Sequence, residues 1–293
     1  MTRKRRLNAV DIAVVVLVCV FVTLLVVPAG LHARAREAEL VCLMNVRGLA
    51  QAWTLYHEDN DGLLVGGSTY NNTEYRWAER PLRADAPVPL MPGDNPGAYE
   101  PSGMDIDFEA RMRGIRAGRL FPYTENVTLY HCPNDRNVFK YKEPYAVYRT
   151  YAISGFMNGE DHRTGTLTLP SGETTRFAMA KRISDIRGPA EKYVFVEEDV
   201  VESPVHGAQC SNIGGYVMMS GSNYWSWWDI PGYFHGNRSI LGFADGHARA
   251  RVWQDPRTVA LMSHERGTPG QPSNVQPNNP DIEYMNRGYL ACD

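Results

Sequence analysis

The first thirty residues have a pattern of their own, an apolar run behind a cluster of basic side chains. Residues 12–27 carry no charge, Asp11 stands at their N-terminal edge, and four basic residues, 3–6, precede them. The stretch 9–30 corresponds to roughly 33 Å of α-helix, enough to cross a bilayer core. Because basic residues stay on the cytoplasmic side, the pattern predicts a single-pass inner-membrane helix at about 9–30. The N-terminus would be cytoplasmic and the bulk of the chain periplasmic or at the cell surface.

Beyond residue 30 the apolar positions narrow to one face of a helix. They recur at spacings of four, three, four and three residues: Cys42, Val46, Leu49, Trp53 and Tyr56. This stripe is typical of an amphipathic helix with a period near 3.6. The turn-forming stretch 58–62 ends the helix with a glycine. The pattern predicts one helix from about 8 to 58, with its first half in lipid and its second half packed on a folded domain.

An Asp-Gly pair at 245–246 lies between two alternating apolar runs and predicts a β-hairpin. A two-residue turn there pairs Phe243 with Ala248 and gives the hairpin one core face and one solvent face. His235 would then lie at the base of the hairpin and Asp245 at its tip, about 23 Å apart along an extended strand. We expect the two side chains not to touch, and we interpret His235, Asp245 and Gly246 as structural.

The composition indicates a β-rich domain after the helix. The chain has 293 residues, 26 Gly, 19 Pro and a net charge of −3, a balance that gives no reason to expect a nucleic-acid partner. We divide it into a basic cytoplasmic leader 1–6, an N-terminal helix 7–62, an extracytoplasmic β-rich domain 63–254 and a Pro/Asn/Gly-rich C-terminal tail 255–293. The predicted fold class is α+β: a long N-terminal helix, transmembrane in its first half, packed on an antiparallel β-sheet with large loop insertions.

Several motifs occur in an order that resembles a known family. A basic leader precedes Asp11, and Pro28 follows Asp11 by 17 residues. Farther on come Cys132-Pro133-Asn134-Asp135, the segment 149–159, and His235 with nine residues between it and Asp245-Gly246. Together they are similar to type IV pilin-like proteins, specifically the pseudopilin-like proteins of type II secretion, whose prepilin-type subfamily carries a C-terminal His-x9-Asp-Gly signature. The resemblance covers most of residues 3–253.

The resemblance implies a non-enzymatic, membrane-anchored structural subunit of a type II secretion or pilus-like assembly. Its leader would be cut between Arg6 and Leu7, and Asp11 would pair with the free α-amine of a neighbouring subunit. Arg6 stands where the family has glycine, and Asp11 where it has glutamate. The implied partners are the membrane and other pilin-like subunits or secretion-system components. The alternative is a membrane-anchored cell-surface module that binds glycan or protein through the same fold without polymerising.

Four cysteines outside the predicted span are disulfide candidates in an oxidising compartment: Cys42, Cys132, Cys210 and Cys292. They allow three complete pairings, and the sequence does not choose among them. None of the cysteines is spaced as Cys-x-x-Cys, so no zinc site built on cysteine is expected.

Three other clusters each allow a functional and a structural interpretation. The acidic turn 58–62 has oxygen atoms suited to calcium, but a helix-ending turn is favoured. The acidic run 197–199 is interpreted as a solvated strand end rather than an acid–base pair. The aromatic loop 224–233 either contacts a partner or fills the core. A hydrolase using His235, His247 and nearby acids is the weakest alternative, so we predict no catalytic residue, no cofactor and no metal site, with calcium at 58–62 as the exception.

Overall fold

The computed structural model describes a five-stranded sheet with one helix across each face. The described residues are 9–69, 75–87, 96–100, 106–135, 148–159, 163–199, 201–203, 207–210, 214–218, 224–264, 270 and 272–290. The helices are α1 (Ala9–Asp59), α2 (Phe108–Ala117), α3 (Phe121–Thr124), α4 (Pro256–Ser263) and α5 (Pro280–Tyr289). Short 3-10 turns lie at Pro96–Ala98, Val127–Tyr130, Ile183–Asp185 and Pro189–Glu191.

The strands form one main sheet and two separate ribbons. They are β1 (Tyr151–Ser154), β2 (Gly165–Thr168), β3 (Thr174–Phe177), β4 (Tyr193–Glu197), β5 (Val201–Ser203), β6 (Gly207–Cys210), β7 (Gly215–Tyr216), β8 (Arg238–Phe243) and β9 (Ala248–Val252). The main sheet has the order β7-β1-β4-β8-β9, whereas β2 pairs with β3 and β5 with β6.

The main sheet is mixed, so the prediction of an antiparallel sheet is wrong. Strands β1, β4, β8 and β9 pair antiparallel, but β7 lies parallel to β1, with Ile153 opposite Gly215. A parallel pair needs a long crossover connection. The chain between β1 and β7 supplies it, because it passes through β2 to β6 before returning to the edge of β1. The parallel strand is only two residues long, which left no periodic signal in the sequence.

Helix α1 packs on the sheet through the stripe that the sequence pattern shows. All five stripe residues are buried: Cys42, Val46, Leu49, Trp53 and Tyr56. The helix contacts β8, β9 and the turn Val127–Tyr130. It comes so close to β8 that a Cβ added to Gly242 would lie 2.7 Å from Val46 Cγ1. A glycine at this position of β8 therefore permits the close approach of the helix.

The opposite face of the sheet is covered by α5, which lies within the predicted tail 255–293. Across a register irregularity in β4, Tyr193 pairs with Phe243 and Phe195 with Gly242. Because Gly242 and Phe243 are consecutive in β8, the two rings lie on opposite faces of the sheet. The Tyr289 ring of α5 packs 6.4 Å from the Tyr193 ring and 4.6 Å from the Phe156 ring, measured between centroids. The central strand β4 is consequently buried on both faces, as its burial along the whole strand shows.

The hairpin between β8 and β9 is offset by one residue from the predicted register. The Phe243 N–H donates to the His247 carbonyl at 2.8 Å, so Phe243 lies opposite His247 rather than Ala248. The loop therefore has three residues, 244–246, and its last residue, Gly246, has φ of 87°, a left-handed conformation typical of a three-residue hairpin with a bulge. A one-residue shift exchanges the two faces of a strand. The predicted solvent face does not exist on β8, because α1 and the C-terminal segment cover both sides.

The predicted membrane span is the largest correction. Within the described part of the chain, no helix meets the length and apolarity that a membrane crossing requires. The predictions of a transmembrane segment at about 9–30, of a single-pass inner-membrane location with a periplasmic or cell-surface bulk, and of the membrane anchor in the pseudopilin description are wrong.

The packing of α1 predicts that two leucines of this helix contribute very differently to the free energy of unfolding. Leu49 is fully buried, whereas Leu55 is 48 % exposed. Leu49→Ala should lower the free energy of unfolding by about 2–5 kcal/mol through lost burial and the cavity left behind. Leu55→Ala should change it by less than about 0.5 kcal/mol. Urea unfolding followed by circular dichroism measures both, and equal losses would contradict the described packing.

Candidate metal centre

Four side chains of metal-binding type converge between α1 and the sheet. Among the residues that the structure describes, Cys42, Cys132, Glu197 and His235 bring one ligand atom each to within 4.8 Å of one another. They come from four parts of the chain: α1, the segment after the turn Val127–Tyr130, the last residue of β4 and the loop before β8. We refer to these four residues as the Cys/His/Glu cluster.

The cluster is tightly packed and shielded from water. Cys132 Sγ lies 3.5 Å from His235 Nε2, which in turn lies 3.1 Å from Glu197 Oε1. The second carboxylate oxygen of Glu197 accepts a hydrogen bond of 2.8 Å from the backbone N–H of Ile240. The Glu197 side chain is 0 % exposed and that of His235 is 1 % exposed. Both thiols are buried as well.

The backbone of Cys132 is fixed by the residues around it. The Cys132 N–H donates to Thr150 Oγ1 at 2.9 Å, and the Thr150 hydroxyl donates to Asp135 Oδ2 at 2.7 Å. Asn134 Nδ2 donates to the carbonyl of Phe234 at 3.0 Å. This last bond joins the Cys132 segment to the residue directly before His235, so two ligand candidates are held at a fixed separation.

The sheet register places Glu197 on the face that α1 covers. Glu197 pairs with Tyr151 across β1 and β4. It lies two positions after Phe195, which pairs with Gly242 beneath Val46. Side chains two apart on a strand point to the same face. Since Cys42 lies one helical turn before Val46 on α1, the carboxylate and the thiol meet at the same interface.

The electrostatics of the cluster follow from its burial and its hydrogen bonds. Burial lowers the pKa of His235, but the hydrogen bonds with Cys132 and Glu197 and the charge of Glu197 outweigh it and raise that pKa to about 10. The pKa of the Cys132 thiol is raised, first by its hydrogen bond with Cys42 and then by burial. Both shifts arise from contacts of these side chains with one another in a site that excludes water.

Sequence reasoning identified three of the four residues but not their proximity. It treated Cys42 and Cys132 as disulfide candidates and His235 as structural, and the structure shows both thiols free. It interpreted 197–199 as a solvated strand end, which is wrong for Glu197, since that carboxylate is fully buried. The spacing rule for zinc sites gave no signal because each ligand candidate lies on a different element. The Cys-Pro and His-x9-Asp-Gly motifs were the available signals for Cys132 and His235.

The remaining site predictions fall in different places. Asp245 accepts hydrogen bonds from the backbone and ring of His247 at the hairpin tip, so it has different partners from His235. Arg6, Leu7 and Cys292 lie outside the described residues. Asp11 lies in α1 and Cys210 in β6, but their side chains are outside the described part of the structure.

The acidic turn 58–62 ends α1. Asp61 and Gly62 have φ of 52° and 78°, and the Gly62 N–H donates to the His57 carbonyl at 2.7 Å. This is a left-handed helix end of the type that glycine stabilises. One of its carboxylates, Asp59, accepts a hydrogen bond from the Tyr123 hydroxyl. The geometry favours the helix-ending interpretation over calcium binding.

The aromatic loop 224–233 mostly fills the core. Tyr224 and Trp227 are buried, and Trp227 donates to Gln276 Oε1 at 3.3 Å while packing edge-on against Trp253. Only Trp228 and Tyr233, at 37 % and 39 % exposure, present large ring surfaces among the described residues of the loop.

Comparison with known proteins identified no relative of this chain. No family model, no curated protein and no solved structure matches the chain. The resemblance to pilin-like proteins therefore stays a prediction, and the chemistry of the Cys/His/Glu cluster has to be argued from its geometry.

The hydrogen bonds of Thr150 predict a specific cost for losing its hydroxyl. Thr150→Val removes the acceptor of the Cys132 N–H and the donor to Asp135, and buried groups that lose such a partner cost about 1–3 kcal/mol. Thr150→Ser keeps the hydroxyl and should lose only about 0.8 kcal/mol for the missing methyl group. Equilibrium unfolding separates the two variants. A serine variant as unstable as the valine variant would show that the methyl group, not the hydroxyl, stabilises this segment.

Proposed function

We propose that this chain is a non-enzymatic structural subunit that assembles with copies of itself through the apolar start of α1. We refer to residues 12–21 of α1 as the stem. The observation that carries the proposal is that the stem is apolar and uncovered, whereas the later part of the same helix is buried against the sheet. A large exposed apolar surface marks a site of association.

The stem is exposed on every side, which determines the kind of partner that fits it. The five consecutive residues from Val14 to Val18 are each 54–71 % exposed. Successive residues of an α-helix are rotated by about 100°, so five of them cover the whole circumference. A groove on a single partner would cover one side only. Several identical helices packed around one another cover all sides, which is how a helix that is apolar all round becomes buried.

The absence of an open reaction centre at the Cys/His/Glu cluster supports a non-enzymatic role. Its histidine is 1 % exposed and its carboxylate 0 % exposed, so a substrate has no access to either. The hydrolase alternative needs a reactive group that a substrate can reach within hydrogen-bond distance. The binding-module alternative is left with the partly exposed rings of Trp228 and Tyr233, a much smaller apolar surface than the stem.

Association through the stem predicts that one charge there disrupts the assembly. Val14→Asp places a carboxylate within the packed helices, where burying an unpaired charge is strongly unfavourable. Val275→Asp is the matched control, because Val275 is also 54 % exposed but lies far along the chain on the body. Light scattering after size exclusion should show oligomers for the wild type and for Val275→Asp, and monomers for Val14→Asp. A monomeric wild-type chain would contradict the proposal.

The exposed thiol of Cys19 provides a second test of the same association. Cys19 lies within the stem and is a free, exposed cysteine. If stems pack side by side, mild oxidation should link two copies through Cys19, giving a covalent dimer on a non-reducing gel. Cys19→Ser should not form this dimer, and Val14→Asp should form it much more slowly. Equal dimer yields from wild type and Val14→Asp would indicate random collision rather than packing.

A further inference from the structure

We propose that the Cys/His/Glu cluster is a structural Zn²⁺ site, with Cys42, Cys132, Glu197 and His235 as its four ligands. Two thiolate sulfurs, an imidazole nitrogen and a carboxylate oxygen are donor types that Zn²⁺ binds in proteins. Magnesium and calcium prefer sites made of oxygen atoms. Sulfur and imidazole ligands together in a four-membered set favour zinc over those ions.

The distances within the cluster are those of a tetrahedral zinc site. Zinc lies about 2.3 Å from sulfur and about 2.0 Å from nitrogen or oxygen ligands, so a tetrahedron places S and N about 3.5 Å apart and N and O about 3.3 Å apart. The structure has 3.5 Å between Cys132 Sγ and His235 Nε2, and 3.1 Å between His235 Nε2 and Glu197 Oε1. All four ligand atoms lie within 4.8 Å of one another, which is about 1 Å more than the roughly 3.8 Å between two sulfur ligands of one tetrahedral zinc ion.

The burial of the cluster distinguishes a structural role from a catalytic one. Structural zinc sites have four protein ligands and no open position, whereas catalytic sites keep one position for water or substrate. Here the chain provides four ligands, and the described side chains of the cluster are almost entirely buried. A closed, water-excluded site of this kind stabilises the fold and leaves no position for a reacting molecule.

The donor set also suits the charge of the ion. Cysteine binds zinc as thiolate and histidine as neutral imidazole, so Zn²⁺ binding releases the protons of the two thiols. The bound state then contains Zn²⁺, two thiolates, one carboxylate and a neutral imidazole, with a net charge of −1. Four short metal–ligand bonds compensate for the hydration that these buried groups lose.

The position of the site gives it a mechanical role in the fold. Cys42 lies near the N-terminal limit of the buried part of α1, where Ala38 is the first buried residue among the described side chains. The other three ligands belong to the body that carries the sheet. The ion would therefore fasten α1 to the body at the point where the helix leaves it. Because the ligands are 38 or more positions apart in the sequence, the ion also closes long loops, which constrains the unfolded chain.

The experiment uses the full chain, free of any affinity tag and purified without chelators. Elemental analysis should find one zinc per chain. After removal of zinc, added Co²⁺ should give the intense visible bands of a tetrahedral ion and the near-ultraviolet band of thiolate ligation, and Zn²⁺ should displace both. Removal of zinc should lower the melting temperature, and re-addition of Zn²⁺ should restore it.

Variants test the assignment of the ligands. Loss of a residue that only hydrogen-bonds to a metal ligand typically lowers metal affinity by about 10- to 100-fold. Loss of a ligand itself should cost more, so Cys132→Ser should weaken Zn²⁺ binding by about a hundredfold or more. Cys19→Ser, which removes an exposed thiol, is the control and should leave affinity unchanged. Glu197→Gln conserves the shape of the side chain and provides a second ligand variant if Cys132→Ser does not fold.

Three outcomes would overturn the proposal. The first is a folded wild-type chain that neither contains zinc nor binds added Zn²⁺ or Co²⁺. The second is mass-spectrometric identification of a Cys42–Cys132 disulfide as the native state of the purified chain. The third is unchanged zinc affinity in both Cys132→Ser and Glu197→Gln. The wild-type zinc content and Co²⁺ spectrum decide the first outcome without any variant.

Discussion

Most of the fold depends on how closely α1 approaches β8. Gly242 has no side chain, and a Cβ there would come within 2.7 Å of Val46 Cγ1, so any larger residue requires the Val46 side chain or the helix to move. The same approach buries the stripe of α1 and brings Cys42 over the face that carries Glu197. Because protein interiors are packed as densely as crystals, a displacement at Gly242 would be transmitted to the whole interface, including the Cys/His/Glu cluster.

The buried carboxylate of Glu197 is the second constraint. It receives the N–H of Ile240 on one oxygen and the His235 ring on the other, so it joins β4, β8 and the loop before β8. A buried charge with its partners removed is strongly destabilising. The end of β4, the loop before β8 and α1 therefore have to reach their native positions together. The cluster in this way helps to specify the fold.

The sequence predicted the parts of the structure that have a local period. The stripe of α1 recurs every three or four residues, and each of its members is buried. The Asp245-Gly246 pair marked a hairpin, but residue preferences alone do not distinguish a two-residue from a three-residue loop, and the register was therefore off by one. The parallel pairing of β7 and the convergence of Glu197 with two cysteines depend on contacts between distant residues. Such contacts do not produce a regular spacing of residues along the sequence, which is why they were not predicted.

The continuity of α1 has a geometric consequence at its far end. The helix runs without a break from Ala9 to Asp59, so the residues before Ala38 form an arm whose rise is about 45 Å. A tilt of about 5° where the helix leaves the body would displace the tip by about 4 Å, close to the width of one side chain. The precision with which neighbouring copies could align their arms is therefore determined at the base, by how firmly a few side chains around Cys42 hold the helix.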